Sequence, residues 1–411
     1  MKDTKMIWEG VPVTRRHMMR GLIYAGAFVA EAHFKLTQAR EVTARQEWTG
    51  FSTSPLWQPF SLVTGDTIIL SIDVAGLSVG AIIDSGSAAS IISSSLATKL
   101  GLSPTEKRTV RGVSGRASAL LARNIEIKFG GERRRLPSVF IADLKAVSSA
   151  LGRPVEMVLG EDMLAERCVA FDFANRRLSV GATGGFAGEK GWERVSLIHG
   201  SNRELLVDAS VMDLANMPMV FDLGSSTALM LAPSYVSDHR LLQGVRQSTA
   251  AIGGIDGITS ATTFITDRVK LGKVPIRAAP TLSPTTWLST SAVGSIGLPL
   301  IAQFDVVLDV SAGQLWLRPA QRGLPMLEDH SGFGLALTKD ELHVVHVAKN
   351  SPAAQSGWGV GDGILAINGR DIDSSYTFDH HWRWRFMKPG TIVALKDHLG
   401  RTRDLCLADY Y

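Results

Sequence analysis

Three landmarks recur along this chain at an almost constant offset. Asp84, in AIIDSGSAAS (81–90), returns as Asp222 in VFDLGSSTAL (220–229). Gly160 returns as Gly297 and Asp172 as Asp309, at one shared offset that departs from the Asp84–Asp222 offset by a single position. The spacing from the landmark Gly to the later Asp is therefore identical in the two copies. Chance does not readily produce three matched landmarks in register, so the chain reads as a tandem duplication with lobes over 62–182 and 200–319. Whatever fold one copy adopts, the other repeats it, and the two acidic corners become partners.

Local patterning says what each copy is made of. Leu70, Ile72 and Val74 alternate with Ser71 and Asp73, and Val79, Ala81 and Ile83 lead up to Asp84. This is strand periodicity on either side of a turn at Ala75-Gly76. Asp84 therefore stands where a buried strand gives way to a loop. Ile92, Leu96 and Leu100, four apart, predict a short helix that stops at Gly101. With 411 residues, 45% of them hydrophobic, the chain can fill two or three cores. Residues 33–61 read as a polar linker and 183–199 as a Gly-rich one.

An apolar pair followed by Asp84-Ser85-Gly86-Ser87, and farther along an apolar pair followed by Gly160, resembles one lobe of an aspartic peptidase. Two such lobes in one chain resemble the bilobal, pepsin-type arrangement, although their shortness is closer to the retropepsin-like kind. The resemblance implies a mainly β fold of two duplicated lobes around a central cleft, with Asp84 and Asp222 as the catalytic pair. It also implies supporting roles for Ser85, Gly86, Ser87, Gly224, Ser225, Gly160 and Gly297. The hydroxyls of Ser87 and Ser225 are expected to hydrogen-bond carboxylate oxygens and favour their ionised form. Two adjacent carboxylates can share one proton, because a doubly ionised pair repels strongly. The ionised member then activates water while the protonated one donates to the scissile carbonyl. Neither a metal nor a cofactor is required. VRGVSGRAS (110–118) has the family's spacing for a flap, centred on Gly112, Val113, Ser114 and Gly115, and AIGGIDGITS (251–260) is its second-lobe equivalent. One departure stands out: the family places Thr or Ser between Asp and Gly, and here the second copy has Leu223.

NSPAAQSGWGVGDGILAINGRDI (350–372) has Ser351 as a helix cap, Pro352 in the first turn, Gly357 at the stop and Asn368-Gly369 as a tight hairpin turn. It resembles a bacterial PDZ domain, a small α+β unit over 328–409. On that resemblance the backbone around Phe333, Gly334 and Leu335 receives a chain terminus, and the peptide adds as a strand. YTFDHHWRWRF (376–386) would be the groove helix, with Phe378 and Trp382 on one face.

At the N-terminus, Arg15-Arg16, a short apolar stretch from Leu22 to Ala30, and Ala30-Glu31-Ala32 resemble a twin-arginine export signal over 1–32. That stretch is too short for a permanent membrane anchor. A periplasmic or other extracytoplasmic location follows, or a cytoplasmic one if the segment is an ordinary helix. The formal charge is +4, half of it carried by the segment 1–32, so nothing argues for a nucleic-acid partner. Arg133, Arg134 and Arg135 read as a solvated turn. Cys168 and Cys406, both within apolar runs, read as two buried free thiols. The expected partner is a peptide or protein substrate, with a C-terminal peptide as a candidate PDZ ligand. The function expected is aspartic endopeptidase. The alternative is an impaired pseudo-peptidase, weakened at Leu223, that binds peptides without cleaving them. A serine protease is excluded because GVSGR (112–116) has no His between the export segment and itself beyond His33, which directly follows that segment.

Overall fold

The two copies are joined through a sheet to which each contributes three strands. Its order is Trp57–Pro59, Arg177–Ala182, Arg167–Asp172, Phe304–Asp309, Gln314–Pro319 and Glu193–His199. The central strands, one from each copy, run antiparallel with Cys168 opposite Asp309. Asp172 and Asp309 close equivalent hairpins, each accepting from the backbone N–H three residues on, at Asn175 and Ala312. This is the Asx-turn habit of aspartate. The computed structural model describes residues 48–64, 66–111, 116–201, 203–254, 257–338, 340–373, 375–377 and 380–411. The export segment 1–32, the expected flap residues Gly112, Val113, Ser114 and Gly115, and Phe378 lie outside the described residues.

On either side of that sheet the copies build the same crossing. In the first, Leu77–Ile83 pairs in parallel with Met157–Leu159, which pairs antiparallel with Ile91–Ser93. In the second, Leu214–Asp222, Gly294–Gly297 and Leu229–Leu231 repeat the order and the directions. Strands buried on both faces account for the continuous apolar runs. A single apolar core, with Ile72, Phe171, Phe221 and Phe304 among its buried members, runs through both copies.

Several expectations need correction. Residues 48–59 are not a loosely held lead-in. Trp48 lies edge-on to Trp57 and Trp192, Phe51 packs on Phe186, and Arg177 stacks over Trp57 at 4.3 Å. These aromatics cover the outer face of the shared sheet, which would otherwise leave Ala170 and Val307 bare. Trp57–Pro59 and Glu193–His199, both within stretches read as linkers, are strands of that sheet: the first forms its edge, and the second pairs with Gln314–Pro319 and, at its far end, with Leu205–Val211. Ile92 lies in a strand, and the helix is Ser94–Lys99, capped by Ser93. Arg133, Arg134 and Arg135 lie in the strand Glu132–Ala142, where Arg134 donates to the carbonyl of Ala165 at 2.7 Å. Cys168 is buried and free, but Cys406 is exposed, because alternation in Thr402–Cys406 turns Leu405 inward and its neighbours out.

The C-terminal unit has its own core around Phe333, Val344, Ile364, Trp382 and Leu395. Its sheet runs Phe333–Leu337, Leu342–Val347, Gly363–Ile367, Ile392–Asp397 and Thr402–Cys406. Ser351 accepts from the N–H of Ala354, and Asn368 and Gly369 both take the left-handed turn conformation expected of them. The groove helix is tighter than expected: among the described residues of 376–386, His381–Phe386 is helical, as a 3₁₀ turn. His380, left-handed at φ 66°, stands immediately before it.

Candidate active site

Asp84 and Asp222 face each other where the two crossings meet. Each stands at the end of the strand leading to it and beside the landmark glycine of its own copy. Asp84 N–H donates to the carbonyl of Leu159 at 2.9 Å, and Asp222 is in register with Gly297. The two carboxylates hydrogen-bond to one another. Each also leans over the other copy's glycine: a Cβ on Gly86 would meet Asp222 Cγ at 2.7 Å, and one on Gly224 would meet Asp84 Cγ at 2.5 Å. Only glycine allows this approach. Both carboxylates keep partial exposure, so solvent reaches them.

Burial raises the pKa of both groups. Asp84 is held above the ordinary aspartate range by desolvation, opposed by the N–H groups of Ser87 and Gly86. Asp222 is pushed up to about 8, first by desolvation and then by the charge of Asp84. The pair therefore keeps one proton through neutral pH.

The hydroxyls of Ser87 and Ser225 do not turn to the carboxylates, contrary to the expectation from residue type. The Ser87 backbone N–H donates to Asp84 Oδ1 at 3.1 Å, while its Oγ donates to the carbonyl of Ala89. Ser225 repeats this, its Oγ bonding within the loop at Thr227. A hydroxyl satisfies its own loop more readily than a neighbour's carboxylate, leaving the backbone to hold the acids. Gly160 and Gly297 are required by close approach: a Cβ would meet the carbonyl carbon of Ala89 at 2.5 Å or the carbonyl oxygen of Thr227 at 1.9 Å.

Ser85 carries the lock between the copies. Its Oγ donates to the carbonyl of Phe221 at 2.7 Å and accepts from the N–H of Leu223 at 2.9 Å. At the matching place Leu223 has no hydroxyl to return the pair. Its side chain is fully buried in the shared core instead. Half of the lock is hydrogen bonds, worth about 1 kcal/mol each, and half is apolar packing. The strands Glu106–Arg111 and Arg116–Phe129 pair antiparallel up to Arg111 opposite Arg116. Gln247–Gly254 and Gly257–Thr266 form the second-copy hairpin.

Residues 70–163 match the family model for aspartyl protease. Residues 331–398 match that of the PDZ domain. No curated protein matches the chain. The aspartyl protease match takes in Asp84 and Gly160 and ends ahead of Asp222.

The PDZ domain touches both copies. Ser248 Oγ donates to the carbonyl of Lys349 at 2.7 Å, Thr249 Oγ1 lies 3.1 Å from His346 Nε2, and Gly334 lies against Ala251. Its edge strand, Phe333–Leu337, is flanked by the first-copy helix Lys145–Leu151 and by the second-copy strand Gln247–Gly254. Thr377 Oγ1 donates to the carbonyl of Leu151 at 3.0 Å, and Asp66 faces Arg385 at the far end. Phe333, Gly334 and Leu335 thus stand at an edge in contact with both copies. Burial pushes Asp66 up to about 6, the attraction of Arg385 notwithstanding. Its ionisation therefore disfavours the folded state above the ordinary aspartate range, fully so above about pH 6. Asp66→Asn is expected to raise the melting temperature at pH 7.5 by about 3 °C and to leave it unchanged at pH 3.5, read by calorimetry.

Sequence reasoning missed Glu161, His199 and Arg203. Glu161 is buried, and its carboxylate receives His199 Nε2 at 3.1 Å and Arg203 Nη2 at 2.8 Å. The signal was present: an acidic pair, Glu161-Asp162, interrupts the apolar run between Leu159 and Met163.

Proposed function

We propose that this chain is an aspartic endopeptidase, exported by its N-terminal segment, in which Asp84 and Asp222 activate one water against a peptide carbonyl. The observation that carries this reading is the hydrogen-bonded, proton-sharing carboxylate pair seated over Gly86 and Gly224. In the one-proton state the ionised carboxylate takes a proton from water as oxygen attacks the carbonyl carbon. The protonated partner donates to the carbonyl oxygen, giving a neutral tetrahedral diol. Collapse returns a proton to the leaving nitrogen and restores the shared-proton pair. The paired strands Glu106–Arg111 and Arg116–Phe129, which flank the expected flap residues, are proposed to carry the cover that closes over the substrate and excludes water.

The PDZ domain is proposed to bring in the substrate or a partner through a chain terminus added beside Phe333, Gly334 and Leu335. Because that edge faces Lys145–Leu151, such a peptide has to part the domain from the first copy. The alternative, a pseudo-peptidase, draws its support from Leu223 and the half-polar lock.

A peptide-library digest with the full chain separates the two readings. Cleavage blocked by a statine-type transition-state mimic and indifferent to a serine-directed phosphonate is the expected result. Absence of cleavage between pH 3 and pH 8, with the PDZ domain still binding peptides, would establish the alternative.

A further inference from the structure

The loops carrying the two acids are built alike in their backbone and differently in one side chain. In the first copy, Glu161 N–H donates to the carbonyl of Ser87 at 2.7 Å; in the second, Leu298 N–H donates to the carbonyl of Ser225 at 2.9 Å. Both residues directly follow the landmark glycines, and both are buried. Ser87 in turn holds Asp84 through its own N–H. The chain therefore runs unbroken from Asp84 through the Ser87 peptide to the backbone of residue 161.

At Leu298 the side chain goes into the core. At Glu161 it reaches the other copy: His199 ends the strand Glu193–His199, and Arg203 lies in the turn just beyond, before Leu205–Val211. A carboxylate buried this deeply is tolerated only because two donors meet it. Asp162, next along the turn, is engaged separately by the N–H and hydroxyl of Ser90, whose Oγ also accepts from Gly160 N–H. The polar ties between copies at this site thus start from the first copy, at Ser85 and Glu161, while the matching positions Leu223 and Leu298 are apolar.

We propose that Glu161 is a positioning residue that fastens the Asp84 loop to the opening turn of the second copy, supplying the restraint that Leu223 cannot. Its carboxylate is buried and taken up by His199 and Arg203. Its effect passes through the Ser87 peptide to the placement of Asp84 against Asp222, and reactions of this kind are sensitive to small misplacement. The partners facing Glu161 are Arg203 and His199 from the second copy, with Asp162 on its own turn. Arg203 holds the charge at all working pH values, and His199 adds to it when protonated.

The proposal rests on the peptidase reading for its kinetic consequence but not for its structural one, and the test reads both. In the full chain, Glu161→Gln keeps the shape and loses the charge. It is expected to lower kcat about tenfold with KM within twofold, and to displace the titration of the Asp84–Asp222 pair, followed by NMR of carboxyl-labelled aspartate. Arg203→Leu, which removes one of the two donors and is checked for a retained fold by circular dichroism, should reproduce both changes, and Arg203→Lys should reverse most of each. A carboxyl titration and a kcat both indistinguishable from the parent chain in Glu161→Gln and Arg203→Leu would overturn the proposal. A displaced titration in a chain without any cleavage would uphold the fastening while removing the peptidase reading.

Discussion

Asp222→Asn is expected to lower peptide hydrolysis by about 10³-fold or more while leaving a folded protein that is more stable at neutral pH than its parent. The two effects share one cause. The pair holds one proton, and the Asp222 carboxyl is pushed up to about 8 by desolvation and by the charge of Asp84. An amide still donates a hydrogen bond but cannot transfer a proton to a carbonyl oxygen and recover it, so the acid half of the cycle is lost. The sign of the stability change follows from linkage: a carboxyl whose folded pKa lies above its unfolded value takes up its proton more readily in the native state. Stability from this group is greatest below the ordinary aspartate range. It declines as pH rises through that range and is lost by about pH 8. Asparagine removes that decline. Melting curves at pH 4 and pH 8 should therefore lie closer together for the variant than for the parent, the remaining separation including that of Asp66. Activity of the parent should fall as pH rises through about 8, when the shared proton leaves. It should also fall on the acid side as Asp84 gains its own proton, above the usual aspartate range. A variant that retained cleavage would remove Asp222 from the mechanism altogether.

The duplication and both acids are legible in the chain because they are set by short local rules. An apolar strand ending at an acid, a glycine where backbones crowd, and a constant offset between copies need no knowledge of distant contacts. The PDZ turn chemistry at Ser351 and Asn368-Gly369 is legible for the same reason. What is not legible is set by partners far away in sequence. The docking of Trp48 and Phe51 depends on Phe186 and Trp192, and the burial of Glu161 depends on Arg203. Residue type alone assigns the hydroxyls of Ser87 and Ser225 to carboxylates, and a turn two residues away claims them instead. In the sequence, Leu223 is only the loss of a hydrogen bond. In the structure it also fills the core between the copies, so that the asymmetry of the lock has an apolar side as well as a polar one.

Gly297→Ala tests whether the crossing, rather than the acids, is the rigid part of the site. A Cβ at this position would stand 1.9 Å from the carbonyl oxygen of Thr227 and 2.9 Å from that of Ser225, both of them backbone atoms that no side-chain rotation can withdraw. Gly297 is extended at φ −99°, so conformational freedom is not the issue. The space is occupied. Relief requires the loop 225–228 to move away from Gly294–Gly297, breaking the bond from Gly297 N–H to the carbonyl of Ala228 and the one from Leu298 N–H to Ser225. Overpacking of this severity is expected to cost about 3 kcal/mol, read from urea denaturation, and to abolish cleavage even below the unfolding midpoint, because Ser225 and Asp222 share that loop. Gly359→Ala is the control, since nothing lies within 4 Å of its added carbon, and its stability should stay within about 0.5 kcal/mol of the parent. If Gly297→Ala matched that control, the two carbonyls could not lie where the fold places them, and the seat of Asp222 would have to be redrawn.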